Sequence, residues 1–211
     1  MIKLFKYGAY LIVVYYMSSA MAGSYEDFFV AVKRNDARGL STLLERGFDP
    51  NTRDPKGQVA LILAIQAENT AVVEALMASP QTQVGLVNPV GESALMMAAL
   101  KGQYDLSLRL LERGAAVNQP SWSPLHYAAT GPEPKIVRLL LERGAQVDAE
   151  SPNRNTPLMM AARYGKEDSV KLLVAQGADL KRTNDLNMTA ADCARSAGRD
   201  WLAALLSKPG S

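Results

Sequence analysis

The sequence predicts an all-α solenoid of helix-turn-helix repeats, capped at both ends. Two observations predict it. One apolar pattern returns five times, with its second residue at positions 60, 94, 124, 157 and 190, so the spacings are 34, 30, 33 and 33 residues. Each copy is also bracketed by residues that start and stop helices.

The five copies are Val59–Ala64, Ser93–Ala99, Ser123–Ala129, Thr156–Ala162 and Thr189–Ala194. Ser or Thr ahead of Pro124 and Pro157 is a helix cap followed by a residue already set for the first turn. The Ala-Ala pairs keep this first helix thin, so neighbouring repeats can approach. A second motif trails the middle copies, at Leu110–Ala115, Leu139–Ala145 and Leu172–Ala178, and opens the series at Leu43-Leu44-Glu45-Arg46-Gly47. Its Leu and Val residues fall at helical spacing, and its Gly ends the helix through a left-handed cap. One such unit cannot bury its own apolar face, whereas a stack can.

With Ser123-Pro124-Leu125-His126 as its best copy, this pattern resembles the ankyrin-repeat family over about residues 25–207. The resemblance implies turn or loop fingers between helix pairs, and a repeat domain over 23–207. The repeats fall at about 25–53, 54–87, 88–120, 121–150, 151–183 and 184–207, with a tail at 208–211. Three departures stand out. The opening repeat lacks the Thr-Pro-Leu-His segment and reads as a cap. The loop between Val117 and Ser123 is about three residues short, which predicts one stubby finger. Pro132 and Pro134 fall between the two helices of the fourth repeat, where a turn accepts them.

Residues 1–22 read as a secretory signal peptide. Lys3 and Lys6 form its basic end, Tyr7–Met17 is an uncharged apolar run, and Ala20 and Ala22 fit a cleavage site before Gly23. The style of leader points to the bacterial periplasm. Because no charge appears from Tyr7 to Tyr25, an uncleaved N-terminal membrane anchor is the alternative.

The leader carries two of the 23 basic residues and none of the 21 acidic ones, so the remainder is formally neutral. That balance argues against a nucleic-acid binder. Chemistry is sparse. The one histidine, His126, occupies the motif position where, in the family, the side chain bonds backbone across the turn. Cys193 reads as a small buried residue, and no disulfide is available to a single cysteine. Met96-Met97 and Met159-Met160 read as core filling in preference to a metal or redox patch. Since Met96 and Met159 replace histidine, their turns are expected to lose its hydrogen bond. No cofactor, metal site or catalytic residue is expected.

The resemblance implies a non-catalytic module, a monomer, that binds another protein on the concave face of turn tips and first helices. Aligned repeats place Lys56, Gln58, Val90, Glu92, Trp122, Asn153 and Asn155 at the tips. They place Gln66, Leu100, Lys101, Arg163 and Tyr164 at the ends of first helices. Trp122, Leu100, Val90 and Tyr164 are the apolar members, ringed by charge as binding hot spots are. Three roles fit: a periplasmic protein-binding module, an inhibitor or immunity protein for an exported enzyme or toxin, and a secreted effector acting on a host protein.

Overall fold

The computed structural model describes residues 23–207. Every regular element among them is a helix apart from two isolated bridges, Arg53 with Val59 and Val87 with Ser93, that pin the bases of fingers. The predicted leader lies outside the described residues. Contacts divide the chain into two compact units, one ending at Gln83 and one beginning at Val84.

The first unit holds α1 (23–34), α2 (Ala37–Glu45), α3 (Ala60–Gln66) and α4 (Thr70–Ala78). Its opening repeat closes on aromatic side chains: Phe28 stacks on Phe48 at 4.6 Å and meets Phe29 edge-on at 5.2 Å. Asparagines join the repeats. Asn69 donates to the Val32 carbonyl at 2.7 Å, and Asn35 accepts from the Val72 amide at 3.1 Å. Leu40, Ile62, Ile65 and Leu76 are fully buried in this unit.

The second unit repeats one helix pair four times. The inner helices are α5 (Ala94–Leu100), α7 (Pro124–Thr130), α9 (Pro157–Tyr164) and α11 (Ala190–Ser196). The outer helices are α6 (Tyr104–Glu112), α8 (Pro134–Glu142), α10 (Glu167–Ala175) and α12 (Asp200–Leu206). Inner helices pack on one another in series, and each outer helix packs on its own inner partner. Pro134 stands at the first position of α8 and Pro132 in the turn before it, as the sequence predicts.

What lets the inner helices pack in series is the absence of side-chain bulk. The pairs Ala98-Ala99, Ala128-Ala129 and Ala161-Ala162 are buried to 1% exposure or less. Glycine continues the pattern at helix ends. A Cβ on Gly131 would lie 2.5 Å from the Ala99 carbonyl oxygen, and one on Gly165 would lie 2.0 Å from that of Ala129. In the last repeat Arg199 reaches back to the end of α9. Its guanidinium donates to the carbonyls of Ala161, Ala162 and Gly165, each at 3.0 Å, capping acceptors that the helix leaves open.

Each inner helix of this unit starts with a reciprocal cap. Ser93 with Met96 and Thr156 with Met159 form it through sulfur: the thioether accepts from the cap residue's amide at 3.4 Å in both. Thr189 and Asp192 form it through a carboxylate, at 3.0 Å and 3.2 Å. Ser123 and His126 form it through the imidazole, whose Nδ1 accepts from the Ser123 amide at 3.1 Å. This corrects the expectation that the methionine turns lose histidine's hydrogen bond. Sulfur keeps the half that starts the helix. What it gives up is the second half, because only His126 also reaches the next finger, with Nε2 at 2.9 Å from the Asn155 carbonyl.

Close approach and capping make different demands on glycine. Gly165→Ala is expected to destabilise the second unit by about 3 kcal/mol, since backbone must shift to admit the methyl group. Gly144→Ala, at a helix end with φ +85° and open space around it, should cost only about 1 kcal/mol. Urea unfolding of the two variants side by side measures the difference, and equal losses would refute the packing argument.

Candidate functional site

Fingers of the second unit share one construction. In the segments 88–92, 151–155 and 184–188 the first residue's amide donates to the carbonyl of the last, at 2.9 to 3.1 Å. The side chain of that first residue, Asn88, Ser151 or Asn184, accepts from the last residue's amide. The last two fingers are also tied together, by Asn184 Nδ2 donating to Asn155 Oδ1 at 2.8 Å and the Asp185 amide to the Asn153 carbonyl at 3.2 Å.

The segment 117–123 lacks this turn, as its three-residue shortfall predicts. Ser121 adopts φ +74° and Trp122 follows at once, with no tip to carry it outward. The indole instead lies edge-on to His126, with centroids 5.3 Å apart, and to Tyr127, at 6.4 Å. It forms one wall of a notch of about 220 Å³ lined by Leu100, Trp122, His126, Tyr127, Thr130 and Met160. Successive inner helices supply the other walls: Leu100 ends α5, Met160 lies in α9, and Tyr127 is between them on α7.

Polar groups in this lining are already engaged. Tyr127 donates its hydroxyl to Glu92 Oε1 at 3.0 Å, and Glu92 Oε2 accepts from Asn88 at 2.8 Å. Burial, reinforced by the Glu92 carboxylate, pushes the Tyr127 phenol well above its ordinary pKa. The Thr130 hydroxyl donates to the His126 carbonyl at 2.9 Å. His126 has a fixed tautomer, since a backbone amide can only donate to Nδ1, which leaves the proton on Nε2 for the Asn155 carbonyl. Burial lowers its pKa despite the carbonyls of Asn155 and Ala149 that it meets.

The sequence-derived binding residues divide. Lys56, Gln58 and Gln66 lie in the first unit; Lys56 is exposed on a finger and the other two are partly buried. In the second unit Val90 and Tyr164 are 73% and 58% exposed, whereas Leu100 and Trp122 are partly buried in the notch. Lys101 and Arg163 are exposed at inner-helix ends, and Arg163 lies 5.3 Å from the centre of the Tyr164 ring. Glu92 is committed to Tyr127 and Asn88. Asn155 is a strut between His126 and Asn184, and Asn153 stays exposed at a tip.

Sequence reasoning missed Tyr127, Thr130 and Met160. Thr130 aligns with Leu100 and Arg163, and Met160 aligns with Tyr127, so the register that found the former contained the latter. Leu186, 73% exposed on the last finger, and Trp201, 54% exposed on α12, were also missed. Cys193 is buried in α11, and burial raises its thiol pKa. Among the described residues no three metal-ligating side chains converge, and no helix is long and apolar enough to cross a membrane.

A three-copy ankyrin-repeat family model matches residues 28–121, 80–151 and 125–211. The ankyrin repeat and KH domain-containing protein mask-1 of Caenorhabditis elegans is 33% identical over 165 residues, covering 69% of this chain and 6% of that protein. The B-cell lymphoma 3 protein homolog of Mus musculus is 32% identical over 161 residues, covering 73% and 36%. This chain thus spans a minor part of the curated relatives it matches. A chain in the solved complex of the predatory endopeptidase Bd0816 from Bdellovibrio bacteriovorus with immunity protein Bd3460 aligns with a TM-score of 0.72 and 26% identity. That alignment covers 86% of this chain and 96% of the other. Ankyrin repeats are protein-interaction modules and generally non-catalytic.

Because His126 is held neutral by burial, the unfolded chain takes up a proton there before the folded one does. The stability His126 contributes is therefore full above its ordinary pKa of about 6.5 and is lost as pH falls below it. His126→Met should keep the cap through sulfur, cost about 1 kcal/mol at neutral pH for the bond to Asn155, and flatten the stability profile between about pH 7 and 5. Chemical unfolding across that range measures both effects; an unchanged slope in the variant would assign the acid sensitivity elsewhere.

Proposed function

The chain belongs to the ankyrin-repeat family, and on that premise we propose that it is a non-catalytic protein-binding module, exported to the periplasm, that holds its partner against the inner-helix face of the second unit. The observation that carries this reading is the notch beneath the shortened finger. Its lining combines Trp122, Tyr127, Leu100 and Met160 with exposed Tyr164 and Arg163 nearby on α9. Aromatic and Arg residues around an apolar recess are the composition of a binding hot spot. Export rests on the leader motif in residues 1–22, with cleavage after Ala22.

A second reading has its own support. The likeness to a chain in the immunity-protein complex covers 86% of this chain and 96% of the other. It favours an immunity or inhibitor role, in which the module blocks one exported enzyme, a peptidase first among the candidates.

The test is affinity capture of the full chain, tagged at its C-terminus, from the envelope of its own cells, alongside Trp122→Ala combined with Tyr164→Ala. One stoichiometric partner is expected, its affinity reduced roughly a hundredfold or more by the double substitution. If that partner is an enzyme whose activity falls as the chain is added, the inhibitor reading holds. Binding that survives the double substitution removes the site from this face, and the absence of any partner removes the function.

A further inference from the structure

The notch exists because a finger has lost its tip. Three of the four fingers in the second unit close through the same five-residue turn, and in the fourth Trp122 folds down onto His126 and Tyr127 where a tip would stand. The gap in the finger row and the recess below it are therefore one feature, made by the 30-residue spacing between the second and third of the aligned copies of the unit, at positions 94 and 124.

Three properties restrict what fills it. The volume, about 220 Å³, lies below the roughly 300–1,000 Å³ of sites that take free small molecules. It suits one large side chain. The hydroxyls of Tyr127 and Thr130 are spent as donors on Glu92 and on the His126 carbonyl, so apart from the Trp122 indole N–H the recess offers mainly carbon and sulfur and favours an apolar group. Near the inner-helix ends lie Lys101 just after α5, Arg163 on α9 and Arg195 on α11, at three different offsets within the repeat, while α7 ends in the neutral pair Thr130-Gly131. Arg195 is paired with Asp192, whereas Arg163 leans on Tyr164 without a carboxylate partner.

We infer that the partner enters this gap with a loop that presents one aliphatic or aromatic side chain between acidic residues. The side chain fills the space over Tyr127 and the carboxylates meet Lys101 and Arg163. This deepens, and rests on, the reading of the second unit's inner face as the partner site.

The sequence contains two tryptophans, Trp122 and Trp201. Trp201→Phe, at an exposed position on α12, leaves Trp122 as the sole indole reporter in the full chain. Three end-blocked peptides are the probes: Asp-Glu-Leu-Glu-Asp, Asp-Glu-Ser-Glu-Asp and Lys-Arg-Leu-Arg-Lys. The acidic leucine peptide is expected to shift Trp122 emission to shorter wavelength and bind roughly tenfold more tightly than either other peptide, with the advantage shrinking as salt rises. Lys101→Glu with Arg163→Glu should transfer the preference to the basic peptide.

A three-residue insertion between Pro120 and Ser121, restoring finger length, should abolish the response while circular dichroism and Tm report an intact fold. Equal response to all three peptides, no response at their solubility limits, or a response that survives insertion overturns the inference. A concentration-dependent shift without peptide overturns it too, by showing that a second copy covers the notch. These failures are separable from failure of the broader reading. A captured partner whose binding depends on Trp122 and Tyr164 but tolerates the insertion would leave the function standing and remove only the occupant.

Discussion

Everything in the second unit depends on how closely its inner helices approach. A seven- or eight-residue helix has little stability of its own in water, so α5, α7, α9 and α11 persist only as a packed series. Series packing requires that backbone meet backbone. The Ala-Ala pairs provide this along the helices, and Gly131 and Gly165 provide it at the ends, where no room remains for a methyl group. The outer helices then cover the remaining apolar face with Leu110, Ile136, Leu140 and Leu173. Arg199 completes the arrangement by donating to the carbonyls of Ala161, Ala162 and Gly165 at the end of α9.

Much of this was legible in the sequence because the repeats restate the same physical demands. Ser or Thr, two residues, then a group able to return a hydrogen bond: the spacing announces a helix start, and the small pair that follows announces a helix with a near neighbour. The cap chemistry itself was less legible. Reading His126 as the donor of a cross-turn bond led to the expectation that methionine at the same position forfeits it. This motif position faces two sites, the cap amide behind it and the next finger ahead. Thioether, imidazole and carboxylate all satisfy the one behind, and imidazole alone reaches forward to the next finger.

The candidate site was legible in part. A shortened loop beside a tryptophan marked where the notch lies, but the direction of that tryptophan was not in the pattern. A missing tip does not simply shorten a finger; it turns the indole inward and converts an expected projection into a recess. Leu100 and Trp122 therefore line a notch where alignment alone would have put them in solvent. Met160 was read as core filling together with Met159, and Tyr127 shares its register with buried Met97, so neither was placed on a surface, although Met160 is only partly buried and lines the notch. Asn155 differs from the tip position that alignment gave it in that both its oxygens accept bonds that tie fingers together.

That tying is uneven, and the unevenness has a mechanical consequence. On one side of the notch, His126, Asn155, Asn184 and the Asp185 amide join three consecutive repeats in a continuous ladder of hydrogen bonds. On the other side, among the described residues, the finger tip at 88–92 meets the Trp122 repeat through the Tyr127–Glu92 bond, and the two repeats are otherwise tied away from the tip, where Asn118 donates to the Gly144 carbonyl and accepts from the Gln146 amide. Local opening costs least where fewest bonds must break. An incoming loop thus meets one jaw that is fixed and one that can yield, so the fixed jaw sets what fits while the yielding jaw sets how fast it enters and leaves.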